Sequence, residues 1–219
     1  MDMLLHGVEY DEPAADYRPL RIHTSRGEVA CRHYPAAAAT RAAVWLGGAR
    51  GGWDSPAHGL YPRLCRALQA LGVASLHVRF RDPTQLPEAV LDAMAAVALL
   101  EGAGAGAVAL VGHSFGGAVA IQAAAHRPVV RTVVTLATQG YGTEPVARLG
   151  PHCSVLLVHG SGDRVLSSGC SEAAYHRARE PKRFILHSGA GHGLDEVAGE
   201  VESEVADWLA EQLPPPPPA

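Results

Sequence analysis

The stretch Val108–Gly117, VALVGHSFGG, decides the fold. It belongs to a short apolar run, Ala107–Val111, of the kind found in strands buried on both faces. A helix of small residues, about 118–125, follows at once. A serine on so sharp a turn from strand to helix has a strained backbone and an exposed oxygen. We therefore interpret Ser114 as a nucleophile, with Gly112 and Gly116 present because side chains there would collide with the turn.

Short apolar runs alternate with longer helical stretches along the rest of the chain. This rhythm is typical of a largely parallel sheet covered by helices. We predict a hairpin over 20–34, strands over 43–46, 73–80, 107–111, 132–136, 154–158 and 183–187, and helices over about 58–71, 84–100 and 118–125. A further helix should precede the last strand, and a final helix should begin near Asp195 as its N-cap. The predicted class is α/β, with an eight-stranded sheet and helices on both faces.

The length of 219 residues fits one such domain. We assign residues 1–19 to an N-terminal extension, 20–213 to the α/β domain and 214–219 to a solvated, proline-rich tail. The first residues lack the basic and apolar segments of a signal peptide. No apolar run is long enough to cross a bilayer. We therefore expect a cytoplasmic protein without a membrane partner.

Composition also excludes several classes of function. The formal net charge of −4 shows no basic surplus, which argues against nucleic acid as a partner. The four cysteines are widely spaced, so we expect reduced thiols, mostly buried, and no metal site. Their positions are Cys31, Cys65, Cys153 and Cys170.

A serine needs a base, and the sequence offers twelve histidines. His192 lies in a glycine-rich loop after the last predicted strand. That loop opens onto the same sheet edge as the elbow, the sharp turn Gly112–Gly116 that carries Ser114. His187 fits a core or surface position, and His113 is better explained as packed or solvated. His159 ends a strand and could orient a loop. We predict that His192 is the base.

The imidazole in turn needs a carboxylate that holds its tautomer. Asp163 directly follows the apolar strand that ends near Val158, and the order serine, aspartate, histidine is the one expected for an elbow of this kind. The rivals are Asp82, Glu144 and Asp195. We predict that Asp163 is the acid.

The tetrahedral intermediate requires backbone donors. The N–H of Phe115 is predicted to be one of them, at the positive end of the following helix. The second is predicted from the glycine-rich loop after the 43–46 strand, with Ala49 preferred and Gly48 next. The loop is not followed by a Lys-Ser or Lys-Thr pair, which argues against a phosphate-binding role.

These ordered motifs resemble the α/β-hydrolase superfamily, specifically its small, lidless, dienelactone-hydrolase-like and carboxylesterase-like members, over residues 20–212. The resemblance implies an eight-stranded, mostly parallel sheet whose second strand is antiparallel. This chain departs from the family pattern at Leu46-Gly47, where a His-Gly dipeptide is usual. It also has Ser114 where dienelactone hydrolases have cysteine, so their substrate is not carried over.

Only 19 positions separate Leu136 from Val155, which leaves no room for a cap domain. We therefore predict an open site. Together with the predicted triad, this favours an esterase that acts on a small ester or acyl substrate without a cofactor. A thioesterase, an acyltransferase or a perhydrolase would use the same residues, and a non-catalytic binding protein is a further alternative; a partner protein is possible but not indicated. The candidate substrate contacts are Arg50, Trp53, Gln139 and Tyr141.

Overall fold

One mixed sheet runs through the part of the chain that the computed structural model describes, residues 3–215. Its nine strands lie in the order β1-β2-β3-β5-β4-β6-β7-β8-β9. The pairs β1–β2, β2–β3 and β3–β5 are antiparallel. All pairs from β5–β4 to β8–β9 are parallel. The strands are β1 Leu5–Tyr10, β2 Arg18–Thr24, β3 Gly27–Tyr34, β4 Arg41–Leu46, β5 Val73–Arg79, β6 Ala107–His113, β7 Val130–Leu136, β8 Ser154–Gly160 and β9 Lys182–His187.

Within residues 3–215, five helices cover the two faces of the sheet. They are α1 Pro56–Ala70, α2 Leu86–Gly102, α3 Phe115–His126, α4 Gly169–Arg177 and α5 Ala198–Gln212. Helices α1 and α5 bury their apolar sides in one core, and α2, α3 and α4 bury theirs in the other. The predicted α/β class with helices on both faces is confirmed, and the parallel strands direct their carboxyl ends to one edge.

The prediction of eight strands is wrong by one. Strand β1 lies within residues 1–19, which the sequence had assigned to an extension, and it pairs with β2 from Leu5↔Thr24 to Tyr10↔Leu20. All six of its residues are exposed, so it has no buried face to produce an alternating pattern. The antiparallel strand expected as the second of eight is β3, the third of nine.

The start of the last helix also differs from the prediction. A short 3-10 turn, Asp195–Val197, comes first, and α5 begins at Ala198. Asp195 does not cap α5; its Oδ1 accepts the backbone N–H of His58 at 2.8 Å. The carboxylate therefore links the loop before α5 to the start of α1.

No domain is inserted between β7 and β8. Within the described residues, that connection contains a single 3-10 turn, Glu144–Arg148. The predicted absence of a cap is therefore confirmed, and the carboxyl edge of the sheet is left open.

Two further observations concern the thiols and the helices of residues 3–215. The four cysteines are free thiols, and all but Cys170 are buried. No helix in this range combines the length and the apolar character needed to cross a membrane. Of the predicted proline-rich tail, residues 216–219 lie outside the described residues.

His77 on β5 predicts an acid-side loss of stability. Burial, with a smaller effect from Arg32, lowers its pKa from 6.5 to about 4. In the unfolded chain the His77 imidazole takes up a proton below pH 6.5, whereas in the folded chain it stays neutral down to about pH 4. Its contribution to the free energy of unfolding is therefore complete above pH 6.5 and is lost as the pH falls towards 4. A shift of this size corresponds to about 3 kcal/mol. Urea unfolding of wild type and His77→Leu between pH 7 and 4 should show a flatter loss in the variant; equal slopes would contradict this assignment.

Candidate active site

Ser114 stands at the junction of β6 and α3 with φ 54° and ψ −116°. Positive φ is rare for a side-chain-bearing residue and is held here by the surrounding backbone. The Ser114 N–H donates to the carbonyl of Leu136 at 2.8 Å, and its own carbonyl accepts the N–H of Gly117 at 3.1 Å. The serine is half-buried, at the open edge of the sheet.

The glycines of the elbow are required by close backbone contacts. A Cβ on Gly112 would lie 2.0 Å from the carbonyl oxygen of Gly116, and a Cβ on Gly116 would lie 2.4 Å from that of Leu46. A Cβ on Gly117 would meet the Thr138 hydroxyl at 2.4 Å. Each distance is far below van der Waals contact, so no side chain fits without moving the strand or the helix.

His192 and Asp163 are joined by a hydrogen bond of 2.7 Å from Nδ1 to Oδ2. The carboxylate only accepts, so the proton lies on Nδ1 and the Nε2 lone pair is left as the basic position. His192 comes from the loop after β9 and Asp163 from the turn after β8, which neighbouring parallel strands bring together at one edge.

The Asp163 side chain is fully buried and accepts four hydrogen bonds, two at each carboxylate oxygen. Oδ1 accepts the backbone N–H groups of Val165 at 2.7 Å and Leu166 at 2.9 Å. Burial alone would raise its pKa, but the Leu166 N–H, His192 and the Val165 N–H outweigh it and keep the pKa below the ordinary range. The residue is therefore a carboxylate at neutral pH.

Ser114 and His192 line the same cleft, which has a volume of about 450 Å³. Ser114 Oγ makes no hydrogen bond of up to 3.5 Å with His192 in the described chain. Catalytic hydrogen bonds are commonly long before a substrate binds. The cleft thus contains the predicted nucleophile, the predicted base and, behind them, the predicted acid.

The rival residues have other hydrogen-bond partners. His113 lies beside His192 with ring centroids 4.9 Å apart, and its Nε2 donates to the backbone carbonyl of His192 at 3.0 Å. His187 pairs with Glu204 at 3.0 Å. Asp82 accepts the N–H of Thr84 at 3.1 Å in the turn before α2. None of these residues takes the place of His192 or Asp163.

The two loop residues predicted as oxyanion donors differ in availability. The Gly48 N–H already donates to Asp54 Oδ2 at 3.1 Å. The N–H of Ala49 has no backbone or side-chain acceptor among the described residues, and Phe115 is the first residue of α3, where N–H groups lack a partner within the helix. Ala49 and Phe115 are therefore the free pair.

The candidate substrate contacts fall into three places. Arg50 lines the cleft with Ser114. Gln139 and Tyr141 line a second cleft of about 340 Å³ with Ala49 and Phe115. Trp53 lines neither; its ring lies 4.3 Å from the Arg32 guanidinium and 5.3 Å from the ring of His77.

Several residues of the site were missed in the sequence. Asp54 lies in the loop after β4, and its Oδ2 is 3.5 Å from Nδ1 of His113. That ring, against partial burial, holds the pKa of Asp54 below its usual range. Ser171 contacts His159, which itself contacts Asp163. Only the spacing of His159 and Asp163, four residues across a strand end, gave a local signal; the other contacts form between distant segments.

The arrangement can perform acyl transfer. It has a serine hydroxyl on a strained backbone turn and an imidazole in the tautomer that accepts a proton. A buried carboxylate is bonded to that imidazole, and two backbone N–H groups are free. The described residues contain no cluster of three or more ligands able to hold a metal ion.

Comparison with known proteins gives matches in structure but not in sequence. No family model matches the chain, and no curated protein matches it. Est1E from Butyrivibrio proteoclasticus aligns with 95% of this chain and 99% of its own at 16% identity and a TM-score of 0.71. A dienelactone hydrolase from Anabaena variabilis does so over 94% and 99% at 17% identity and 0.74. An alpha-beta serine hydrolase homologue from Coxiella burnetii does so over 94% and 99% at 18% identity and 0.69. Identities this low show a shared fold alone.

Proposed function

We propose that this chain, which has the α/β-hydrolase fold, is a serine hydrolase that cleaves carboxylic esters through an acyl-enzyme on Ser114. One observation carries the proposal: the 2.7 Å bond from His192 Nδ1 to Asp163, in the cleft that Ser114 lines. It leaves Nε2 of His192 free to take a proton, which is the state that a general base needs.

The reaction begins when His192 Nε2 takes the hydroxyl proton of Ser114 and Oγ attacks the ester carbonyl carbon. The tetrahedral intermediate collapses when the bond to the alcohol oxygen breaks and His192 returns the proton to that oxygen. Water, deprotonated by the same ring, then attacks the acyl carbon. The bond from that carbon to Oγ breaks, His192 returns the proton to Oγ, and the carboxylic acid leaves. Asp163 stabilises the imidazolium in both halves without itself taking the proton.

The negative oxygen of the intermediate is stabilised by the N–H groups of Phe115 and Ala49. Phe115 opens α3, so the positive end of that helix adds to its effect. Gly48 is excluded as a donor because Asp54 occupies its N–H. Removal of a single donor of this type costs about 3 to 4 kcal/mol of transition-state stabilisation in comparable sites.

The position of His192 supports a particular placement of the two halves of an ester in the two clefts. The leaving oxygen must lie within hydrogen-bond reach of His192, so the alcohol half occupies the cleft that His192 and Arg50 line. The acyl half then points towards the second cleft, which Gln139 and Tyr141 line and which meets the first at Ala49. Trp53 has no part in either half, because its ring packs on Arg32 and His77.

A panel of p-nitrophenyl esters tests both the activity and the open site. The acyl cleft is small and no cap encloses it, so a long chain gains little burial. We expect kcat/KM to be highest for acetate and butanoate and about tenfold lower for dodecanoate, since chain contacts that water replaces add no transition-state binding. We also expect a rapid first release of one p-nitrophenolate per chain, as the acyl-enzyme accumulates. Rates that rise steadily to dodecanoate would contradict the open site, and no hydrolysis above that of Ser114→Ala would contradict the activity.

A further inference from the structure

The carboxylate of Asp163 is shared by two histidines. Its Oδ2 lies 2.7 Å from Nδ1 of His192 and 3.1 Å from Nε2 of His159. His159 is the last residue but one of β8 and has no exposed side-chain surface. On the far side of that ring, Nδ1 lies 2.6 Å from the hydroxyl oxygen of Ser171 on α4. A continuous chain of hydrogen bonds therefore runs from α4 to the predicted catalytic base.

The partners of His159 settle where its proton lies. Nε2 faces Asp163 Oδ2 and, at 3.3 Å, the carbonyl of Leu166, and both are acceptors only. The proton must therefore be on Nε2. Nδ1 is then an acceptor, and it takes the hydroxyl hydrogen of Ser171. Burial lowers the pKa of His159, against the opposing effects of Leu166 and Asp163, so the ring is neutral when it donates.

We propose that His159 and Ser171 are positioning residues for the hydrolysis assigned above, and that they act through Asp163. Their role rests on that proposed function, because it is defined by what it does to His192. His159 holds Oδ2 in place while the N–H groups of Val165 and Leu166 hold Oδ1. It also takes part of the negative charge of Oδ2, so Asp163 binds the proton of His192 less strongly than an unshared carboxylate would.

Both effects reach the chemistry through the basicity of His192. A less basic imidazole gives up its proton to the leaving oxygen more readily, and it stays neutral to a lower pH. Ser171 strengthens the hydrogen bond from His159 to Asp163, because a hydrogen bond to Nδ1 of His159 makes the Nε2–H of the same ring a better donor. Without His159, Asp163 would lose one of four donors and become more basic.

Other charged groups surround His192, and none of the variants below replaces them. His113 and Asp54 lie on its elbow side, and Arg50 and Asp195 line its cleft. Glu196 accepts the N–H of Gly191 in the histidine loop at 3.0 Å. Their effects are common to wild type and variants, so a difference between the two reports on His159 and Ser171.

The test is the pH dependence of kcat/KM for p-nitrophenyl acetate. In His159→Leu we expect the acid limb to move up by about 0.5 to 1 pH unit, since a hydrogen bond to the charged form is removed from Asp163. We expect kcat to fall about tenfold through poorer orientation of the carboxylate. His159→Gln, which keeps an N–H donor, should recover most of both effects, and Ser171→Ala should give a smaller upward shift that is absent in the His159→Leu background.

A matched control and a second measurement separate this proposal from its premise. His187 ends the adjacent strand β9 and bonds Glu204 away from Asp163, so His187→Gln should leave the limb where it is. The pKa of His192 is also read directly, from NMR titration of its ring protons, whether or not the protein hydrolyses esters. A higher His192 pKa in His159→Leu supports the proposal even if no ester is cleaved. An unchanged His192 pKa in folded His159→Leu overturns it, and if that variant fails to fold, an unchanged pKa in Ser171→Ala does so.

Discussion

Replacement of Ser114 by alanine is expected to reduce kcat for p-nitrophenyl acetate by about a million-fold, the loss seen when a serine nucleophile is removed from comparable triads. The variant keeps the Phe115 and Ala49 donors and the cleft, so a small residual rate above that in water should persist. It lacks the oxygen that forms the acyl-enzyme, so the rapid first release of p-nitrophenolate should disappear.

The fold should be unaffected by this change. The elbow is held by backbone contacts, the Ser114 N–H to Leu136 and its carbonyl to Gly117, which alanine retains. The Ser114 hydroxyl makes no hydrogen bond with His192 that the variant would lose. Equal melting temperatures for the two proteins would show that lost activity reflects lost chemistry. A folded variant with wild-type kcat would remove Ser114 from the mechanism.

The second large effect is expected for Asp163→Asn, with kcat lower by about four orders of magnitude, as when a triad aspartate becomes asparagine. All four groups that face this side chain are donors: the N–H groups of Val165 and Leu166, and the rings of His159 and His192. Asparagine offers one acceptor oxygen and one donor NH₂ group in place of two acceptor oxygens. With its oxygen towards the backbone, its NH₂ faces His192 and forces the proton to Nε2, where Ser114 needs a lone pair.

Asp82→Asn is the matched control for this prediction. Asp82 was a rival for the acid role in the sequence, and the structure places it in the turn before α2, bonded to Thr84. Asp82→Asn should retain the wild-type kcat, whereas Asp163→Asn should keep the fold and lose kcat. Near-normal kcat in Asp163→Asn would transfer the orienting role to another group.

Much of the fold was predictable because its signals are local. The apolar run before Ser114, the glycines after it and the regular alternation of strands and helices each depend on neighbouring residues in the chain. Strand β1 was not predictable in this way. Its six residues are all exposed, so its place at the sheet edge depends on pairing with β2 and gives no alternation in sequence. The cap assigned to Asp195 failed for a similar reason, because its partner is the distant N–H of His58.

The site divides along the same line. Ser114, Asp163 and His192 follow strand ends, and parallel strands bring their carboxyl ends to one edge. Their proximity could therefore be predicted from strand context and order along the chain. Trp53 was predicted at the rim of the site, but its ring packs on the Arg32 guanidinium and the His77 ring. The link from Ser171 through His159 depends on how α4 packs beside β8, which no pattern in the sequence shows.

The central claim is that Ser114 is an activated nucleophile, and covalent labelling tests it most directly. The folded protein is treated with a fluorophosphonate, and the modified residue is identified by mass spectrometry of its peptides. We predict one adduct per chain, on Ser114, that is absent in Ser114→Ala and forms much more slowly in Asp163→Asn. A folded protein that takes no label, or takes it at another residue with Ser114 untouched, would contradict the account.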